Sequence, residues 1–385
     1  MNPLFDVLVD RTSSDSSKWH RLADQVLPFG VADMDFKSPE PVIRALRERV
    51  DHGVYGYPTD PVALREVLVA RLAERYGWQV APDAIMFIPG CIPGLAMACR
   101  TLPNGHSVVV QPPVYGPFFY LPGGAGLQCL RSPLGRTADG RYYQDPERLE
   151  HDIQEDTCAF MLCSPHNPVG RVWTREELGA VAEVCLRHNL IILSDDIHCE
   201  LVYEGYRHTP IATLSPEVEA RTVTLMAPSK TFNIAGLHCA FAIIPNKDLR
   251  DDMMHSGAWA TMGSNILGYA AALAAYRDSN GWLAELMAYL GENRDLVTTY
   301  VREQMPGISV VPSEGTYLAW LDCSGTGIEG KLSRFFYDNA KMVVGGGEGY
   351  GAEGHFVRLN YGCPRPMLEE GLRRMAAALQ GDGMA

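Results

Sequence analysis

Lys230 stands in Ala227-Pro228-Ser229-Lys230-Thr231-Phe232-Asn233, directly after the apolar run Thr222-Val223-Thr224-Leu225-Met226. An ammonium at the exit of a buried strand must be paired, lose its proton or be used covalently, and a neutral lysine attacks carbonyls. The same placement also suits a lysine whose stem is buried while its head reaches solvent. Asp195 closes another apolar run, Leu190-Ile191-Ile192-Leu193-Ser194, where a carboxylate could cap a helix or hold a metal. After a third run, Pro165-His166-Asn167-Pro168-Val169-Gly170-Arg171 places an amide in an Asn-Pro-x-Gly turn, a pattern that turn chemistry alone also explains. Pro89-Gly90-Cys91-Ile92-Pro93-Gly94 joins a strand to a helix whose first N–H groups could face an anion. Arg358, inside the apolar Phe356-Val357-Arg358-Leu359-Asn360, needs an anionic partner, either a substrate carboxylate or a structural acid.

The elements that must position these groups follow from the hydrophobic pattern. Short apolar runs at 84–88, 107–111, 126–130, 158–163, 190–194, 222–226 and 239–244 alternate with helical spacings such as 174–188. That alternation predicts an open, mostly parallel α/β sheet, which binds ligands at the carboxyl ends of its strands. Helices are expected from Ser38 as N-cap to Gly53, with Val42, Ala45, Leu46 and Val50 on one face, and from Asp60-Pro61 to Gly77. Beyond a long helical stretch at 282–303, strands at 316–321 and 355–360 and helices at 331–339 and 366–379 predict a smaller α+β domain. The expected division is a large domain over 49–284, with 1–48 and 285–385 forming the small one. The glycine-rich stretch Gly345 to Gly351 is the expected mobile loop. A lysine and an acid at two strand ends also answer the needs of a pyridoxal cofactor, which takes a lysine for its Schiff base and an acid to keep its ring nitrogen protonated.

Composition narrows the partners. A formal net charge of -13 on 385 residues, without a Lys/Arg-rich block, opposes nucleic-acid binding and favours a small molecule. Ten cysteines lie scattered without a CxxC pair or zinc-like spacing and read as reduced thiols of a cytoplasmic protein; no metal is expected. Residues 256–276 carry no charge but are too rich in polar and small residues to span a bilayer; 266–273 reads as a packed internal helix.

Taken in order, Tyr55, Gly90, Tyr115, Asn167, Asp195, Lys230 and Arg358 make the chain resemble fold-type I pyridoxal-phosphate enzymes of the class I/II aminotransferase superfamily over essentially its whole length. Within it, the chain is most similar to the MalY/PatB-like cystathionine β-lyase (carbon-sulfur lyase) branch. Ala32-Asp33-Met34-Asp35-Phe36, Tyr55-Gly56-Tyr57, Pro165 to Trp173, Asp196-Ile197-His198, Ala227 to Gly236 and Arg358 to Arg365 carry that narrower likeness. The resemblance implies a large domain with a mostly parallel seven-stranded sheet, pyridoxal 5'-phosphate as cofactor and Lys230 as its Schiff-base lysine. It implies Asp195 at the ring nitrogen, Asn167 at the phenolate oxygen, Tyr115 stacked on the ring and His198 facing the phenolate. The backbone of Gly90, Cys91 and Ile92 and the Ser229 hydroxyl would hold the phosphate. Tyr55 would reach in from a second subunit, which implies a homodimer. Arg358, Ala32 and Gly30 would line the substrate side.

Several positions depart from the branch. Phe29-Gly30 replaces the usual Met-Trp pair and removes an indole near the substrate, and Cys91-Ile92 replaces Val-Val. Asp196 replaces a glutamate, and His238 stands where many aminotransferases carry a phosphate-binding arginine. The implied activity is β-elimination from an S-substituted L-cysteine, cystathionine-like or a bulky conjugate, giving thiol, pyruvate and ammonia. Decarboxylation coupled to oxidative deamination of a cysteine S-conjugate, and transamination, are the alternatives.

Overall fold

The computed structural model describes residues 4–20, 22–102, 106–257, 263–352 and 354–381. Seven strands form the main sheet: β1 (Ile85–Ile88), β2 (Ser107–Val110), β3 (Gln128–Arg131), β4 (Thr157–Cys163), β5 (Ile191–Asp195), β6 (Thr222–Met226) and β7 (Ala240–Ile243). Their spatial order is β1-β7-β6-β5-β4-β2-β3, and only β7 runs against its neighbours. Every residue of β2, β4, β6 and β7 is buried, which is why these segments read as continuous apolar runs rather than alternating ones.

Helices cover both faces. α1 (Glu40–Asp51) and α2 (Val62–Tyr76) precede the sheet, and α3 (Cys91–Thr101) follows β1. Gly77 ends α2 in the left-handed region expected of a C-terminal glycine. α4 (Arg175–Arg187) opens on a full capping box between Thr174 and Glu177. Ser38 does not cap α1. The helix starts one residue after Pro39, and the Ser38 hydroxyl donates instead to the Asn233 carbonyl at 3.0 Å. Val50, expected on the apolar face of α1, is 49% exposed.

α5 (Ile266–Asp278) is the packed internal helix, with Ala271, Ala272, Ala274 and Ala275 buried; of the uncharged stretch before it, 258–262 lie outside the described residues. α6 (Asn280–Gln304) leads to a four-stranded antiparallel sheet of β8 (Ser309–Val310), β9 (Leu318–Asp322), β10 (Gly345–Gly346) and β11 (Phe356–Asn360), ordered β8-β9-β11-β10. α7 (Arg365–Leu379) closes the described chain save two residues. The glycine-rich stretch, expected to be mobile, is packed. Tyr350 is 9% exposed, its carbonyl accepts from the Val114 amide at 3.0 Å, and its ring lies 4.9 Å from the Arg358 guanidinium carbon.

Two glycines let the site be assembled. On Gly94 of α3 a Cβ would lie 2.5 Å from Ile88 Cδ1 and 3.0 Å from Leu225 Cδ2, so the helix reaches the sheet only without a side chain there. Gly170, at φ +73°, turns the chain after Asn167, and its carbonyl accepts the amides of Glu314 and Gly315 at 2.8 and 3.1 Å. A Cβ on Gly170 would lie 2.6 Å from Ser313 Oγ and 3.1 Å from its Cα. Gly170→Ala therefore meets both a left-handed backbone penalty of about 1 kcal/mol or more and an overpacking penalty of about 1–3 kcal/mol. Denaturant unfolding should show a loss of about 2 kcal/mol or more; an unchanged midpoint would refute this account of the turn.

Candidate active site

β4, β5 and β6 end side by side, and their carboxyl ends deliver Asn167, Asp195 and Lys230 to one cavity of about 480 Å³. Of the residues expected in the site, Gly90, Cys91, Ile92, Tyr115, His198, Ser229, Arg358, Ala32 and Gly30 line the same cavity. Tyr55 does not. It is 56% exposed, its hydroxyl donates to Val50 O at 3.0 Å, and it borders a separate surface hollow with Gly56, Tyr57 and Pro58.

Lys230 sits in the short helix Pro228–Thr231 that follows β6. Its Nζ donates to the Ala32 carbonyl at 2.6 Å rather than reaching for bulk solvent, so the snorkelling alternative fails. Burial lowers its pKa; Asp33 and Asp195 oppose that shift and Arg358 adds to it. Asp195 is 4% exposed, and its Oδ1 accepts the Ile197 amide at 3.3 Å. Burial raises its pKa to about 7 and the Asp196 carboxylate adds to the rise. Asp195 makes no ion pair among the described residues, whereas Asp196 receives the Ser194 hydroxyl and His208 Nε2.

Arg358 on β11 is 4% exposed and has no carboxylate within ion-pair distance among the described residues. Its Nη1 donates to Asn167 Oδ1 at 3.0 Å and its Nη2 to the Gly30 carbonyl, while the buried Nε has no partner. The structural acid allowed by the sequence is thus missing. Burial lowers the Arg358 pKa but cannot neutralise a guanidinium. His198 is buried with Nδ1 unpartnered, and burial beside Lys230 and Arg358 drops its pKa to about 3, so it is neutral. α3 begins at Cys91 after Gly90, and Pro93 has no N–H, so the Cys91 and Ile92 amides are the donors its first turn can aim at an anion. Ser229 and His238 line the same cavity.

The front wall, residues 30–36, is fixed mostly through its backbone. Asn233, at φ +56°, accepts the Met34 amide at 3.0 Å and donates to Met34 O and Phe36 O at 2.9 and 2.8 Å. Asn360 Nδ2 donates to Val31 O and Asp33 O at 2.6 and 2.8 Å. Behind the wall Asp35 is held by Arg11, Lys18 and Trp19 at 2.6, 2.6 and 2.8 Å. Asn233, Asn360 and Tyr317, whose hydroxyl reaches Ala32 O, were not picked out by sequence reasoning. Asn360 ends β11 and Tyr317 directly precedes β9, a placement shared with ordinary turns, and Asn233, well past the end of β6, gave no such signal.

The arrangement thus combines an amine of lowered pKa, a helix start that can face an anion and, among the described residues, an acid without a cation and a buried arginine without an acid. The profile of the aminotransferase class I and II family matches residues 24–375, and the chain belongs to that family. It is 38% identical to cystathionine beta-lyase PatB of Bacillus subtilis, over 97% of this chain and 99% of that protein. Among solved structures it resembles a PLP-bound putative aminotransferase from Clostridium difficile, with TM-score 0.94 and 35% identity over 98% of this chain and 100% of that one. It is also similar to OvoB, with TM-score 0.93 and 40% identity over 97% of this chain and 98% of that one.

The raised pKa of Asp195 has a consequence for the ligand-free protein. Its folded state binds a proton that the unfolded chain, near 3.8, has lost, so stability falls as pH rises from about 4 to about 7. The full penalty is about 4 kcal/mol at most. Asp195→Asn removes this titration. Chemical denaturation should show the variant gaining on the parent by about 2 kcal/mol or more between pH 4 and 8, whereas a difference independent of pH would contradict the raised pKa.

Proposed function

We propose that the protein is a pyridoxal 5'-phosphate-dependent carbon-sulfur β-lyase that converts an S-substituted L-cysteine and water into a thiol, pyruvate and ammonia. The observation that carries the reading is the buried Arg358, without an acidic partner among the described residues, in one cavity with Lys230 and Asp195. An α-amino acid presents a carboxylate for the first, an amine that can exchange with the second, and needs the third only through a cofactor. The residues fit that cofactor. Asp195 lacks, among the described residues, the cation that a protonated ring nitrogen supplies, Asn167 lines the same cavity, and the Cys91 and Ile92 amides with the Ser229 hydroxyl suit a phosphate. When bound, pyridoxal 5'-phosphate supplies an electron sink for the pair left at the substrate α-carbon.

The chain's own residues do the rest. Arg358 takes the substrate carboxylate, with its free Nε and the two nitrogens now resting on Asn167 and Gly30 as donors. Lys230, whose pKa burial lowers, removes the α-proton as general base. Neutral His198 adds no positive charge to compete with that amine. The sulfur leaves as thiolate, a competent leaving group because thiol pKa values lie near 8.5. Gly30 on the cavity wall presents no side chain, which supports a bulky sulfur substituent.

A homodimer in the cytoplasm, divided into the large and small domains expected from the sequence, belongs to the same proposal. Tyr55 and the fully exposed Tyr57 sit on one surface, where a second copy would cover them and receive Tyr55 in its own cavity. Among the described residues no helix is long and apolar enough to cross a membrane, and no cluster of His, Cys, Asp or Glu suits a metal.

The loaded protein, given cystathionine and a bulky cysteine S-conjugate, should form thiol and pyruvate in equal amounts. A keto acid that retains sulfur would mark transamination instead, and released carbon dioxide would mark decarboxylation. Lys230→Ala should lose the absorption band of the lysine-bound cofactor and cut turnover by about 10²- to 10⁴-fold or more; a persisting band would sink the cofactor assignment.

A further inference from the structure

We propose that Tyr317 is a positioning residue for Lys230, acting through the carbonyl oxygen of Ala32. That oxygen receives two donors, Lys230 Nζ at 2.6 Å and the Tyr317 hydroxyl at 2.9 Å. Tyr317 is held firmly. Its side chain is among the largest fully buried ones, its ring meets His198 edge-on with centroids 5.9 Å apart and planes at 76°, and its own carbonyl accepts the Tyr361 amide at 2.9 Å. The Ala32 carbonyl is equally fixed, because Asn360 grips the carbonyls on either side of it, Val31 and Asp33.

The inference rests on the lyase reading above. Once a substrate amine has taken its place, the Lys230 amine must wait within reach of the α-carbon, and the Ala32 oxygen is where the structure keeps it. A carbonyl oxygen has two lone pairs. Tyr317 occupies one and leaves the other for Nζ, so the shared oxygen holds the amine close without drawing it fully into an ammonium. In the proton transfer the α C–H bond breaks, its electron pair stays with the substrate carbon, and a new N–H bond forms at Nζ. The ammonium so formed turns to the same oxygen. The charged and titratable groups acting on Nζ are Asp33, Asp195, Arg358 and Cys91, with neutral His198 beyond Tyr317. The Tyr317 hydroxyl is the uncharged donor that sets the balance among them.

Tyr317→Phe keeps the ring and deletes only the O–H. On the loaded enzyme with cystathionine carrying hydrogen or deuterium at the α-carbon, kcat should fall about tenfold or more while KM stays within about twofold. The kinetic isotope effect should rise, and the acid limb of the kcat profile should move to higher pH, with the cofactor's absorption band retained. Unchanged kcat and isotope effect would overturn the proposal, as would a loss of kcat matched by loss of cofactor or of melting temperature. Fluorotyrosine at position 317, a stronger donor of the same shape, should move the acid limb to lower pH; no movement or the opposite one counts against the role, and this arm serves if the phenylalanine variant does not fold. Lack of turnover in the parent enzyme would overturn the lyase reading, whereas normal parental turnover with a silent variant would overturn this inference alone.

Discussion

Three ionisable groups are held in one cavity with no ion-pair partner among the described residues, and the architecture exists to bear that cost. Moving a charge out of water is costly by several kcal/mol even after relaxation, and pairing is the usual remedy. Elsewhere this chain uses that remedy: Arg71 is paired with Glu200, Arg171 with Glu177 and Glu314, and Lys18 with Asp35. At Asp195 and Arg358 it does not. Both sit on strands paired with a neighbour on each side, which fixes the backbone from which each side chain projects. Under the proposed function, the cofactor and substrate would bring the missing charges to Asp195 and Arg358.

The wall at residues 30–36 solves the remaining problem, which is to give the arginine and the lysine a partner without ion-pairing either. Carbonyl dipoles do this: Gly30 O takes Arg358 and Ala32 O takes Lys230. A carboxylate in either position would raise the lysine pKa and block the arginine from a substrate. The acids of this segment are instead turned toward Arg11 and Lys18, where Asp33 and Asp35 are held.

Much of this was legible from residue order. The buried strands were visible as apolar runs, because a parallel sheet covered on both faces leaves no alternation, and all seven lie within two residues of the expected positions. Asn167, Asp195, Lys230 and Arg358 could be read because polar residues at the ends of such runs, or inside one, have few reasons to be there. What could not be read was set by three-dimensional proximity. Tyr317 looks like any strand-entry aromatic, and Asn233 and Asn360 act on backbone atoms about 200 and 330 residues away in sequence. Ser38 matched the pattern for a helix cap, yet its hydroxyl found the Asn233 carbonyl, a long-range partner that local propensity cannot foresee. The glycine run at 345–351 suggested mobility, but there the absence of side chains serves close packing around Tyr350 and Arg358.

The central claim is that Asp195 is kept without a cation so that it can hold a proton on the cofactor ring. Nitrogen-15 NMR of the protein loaded with ring-labelled pyridoxal 5'-phosphate reads that proton directly. The account predicts a pyridinium shift that persists across neutral pH and moves to the neutral-pyridine range in Asp195→Ala. A neutral ring nitrogen in the parent protein at pH 7, or a shift indifferent to the substitution, would contradict it.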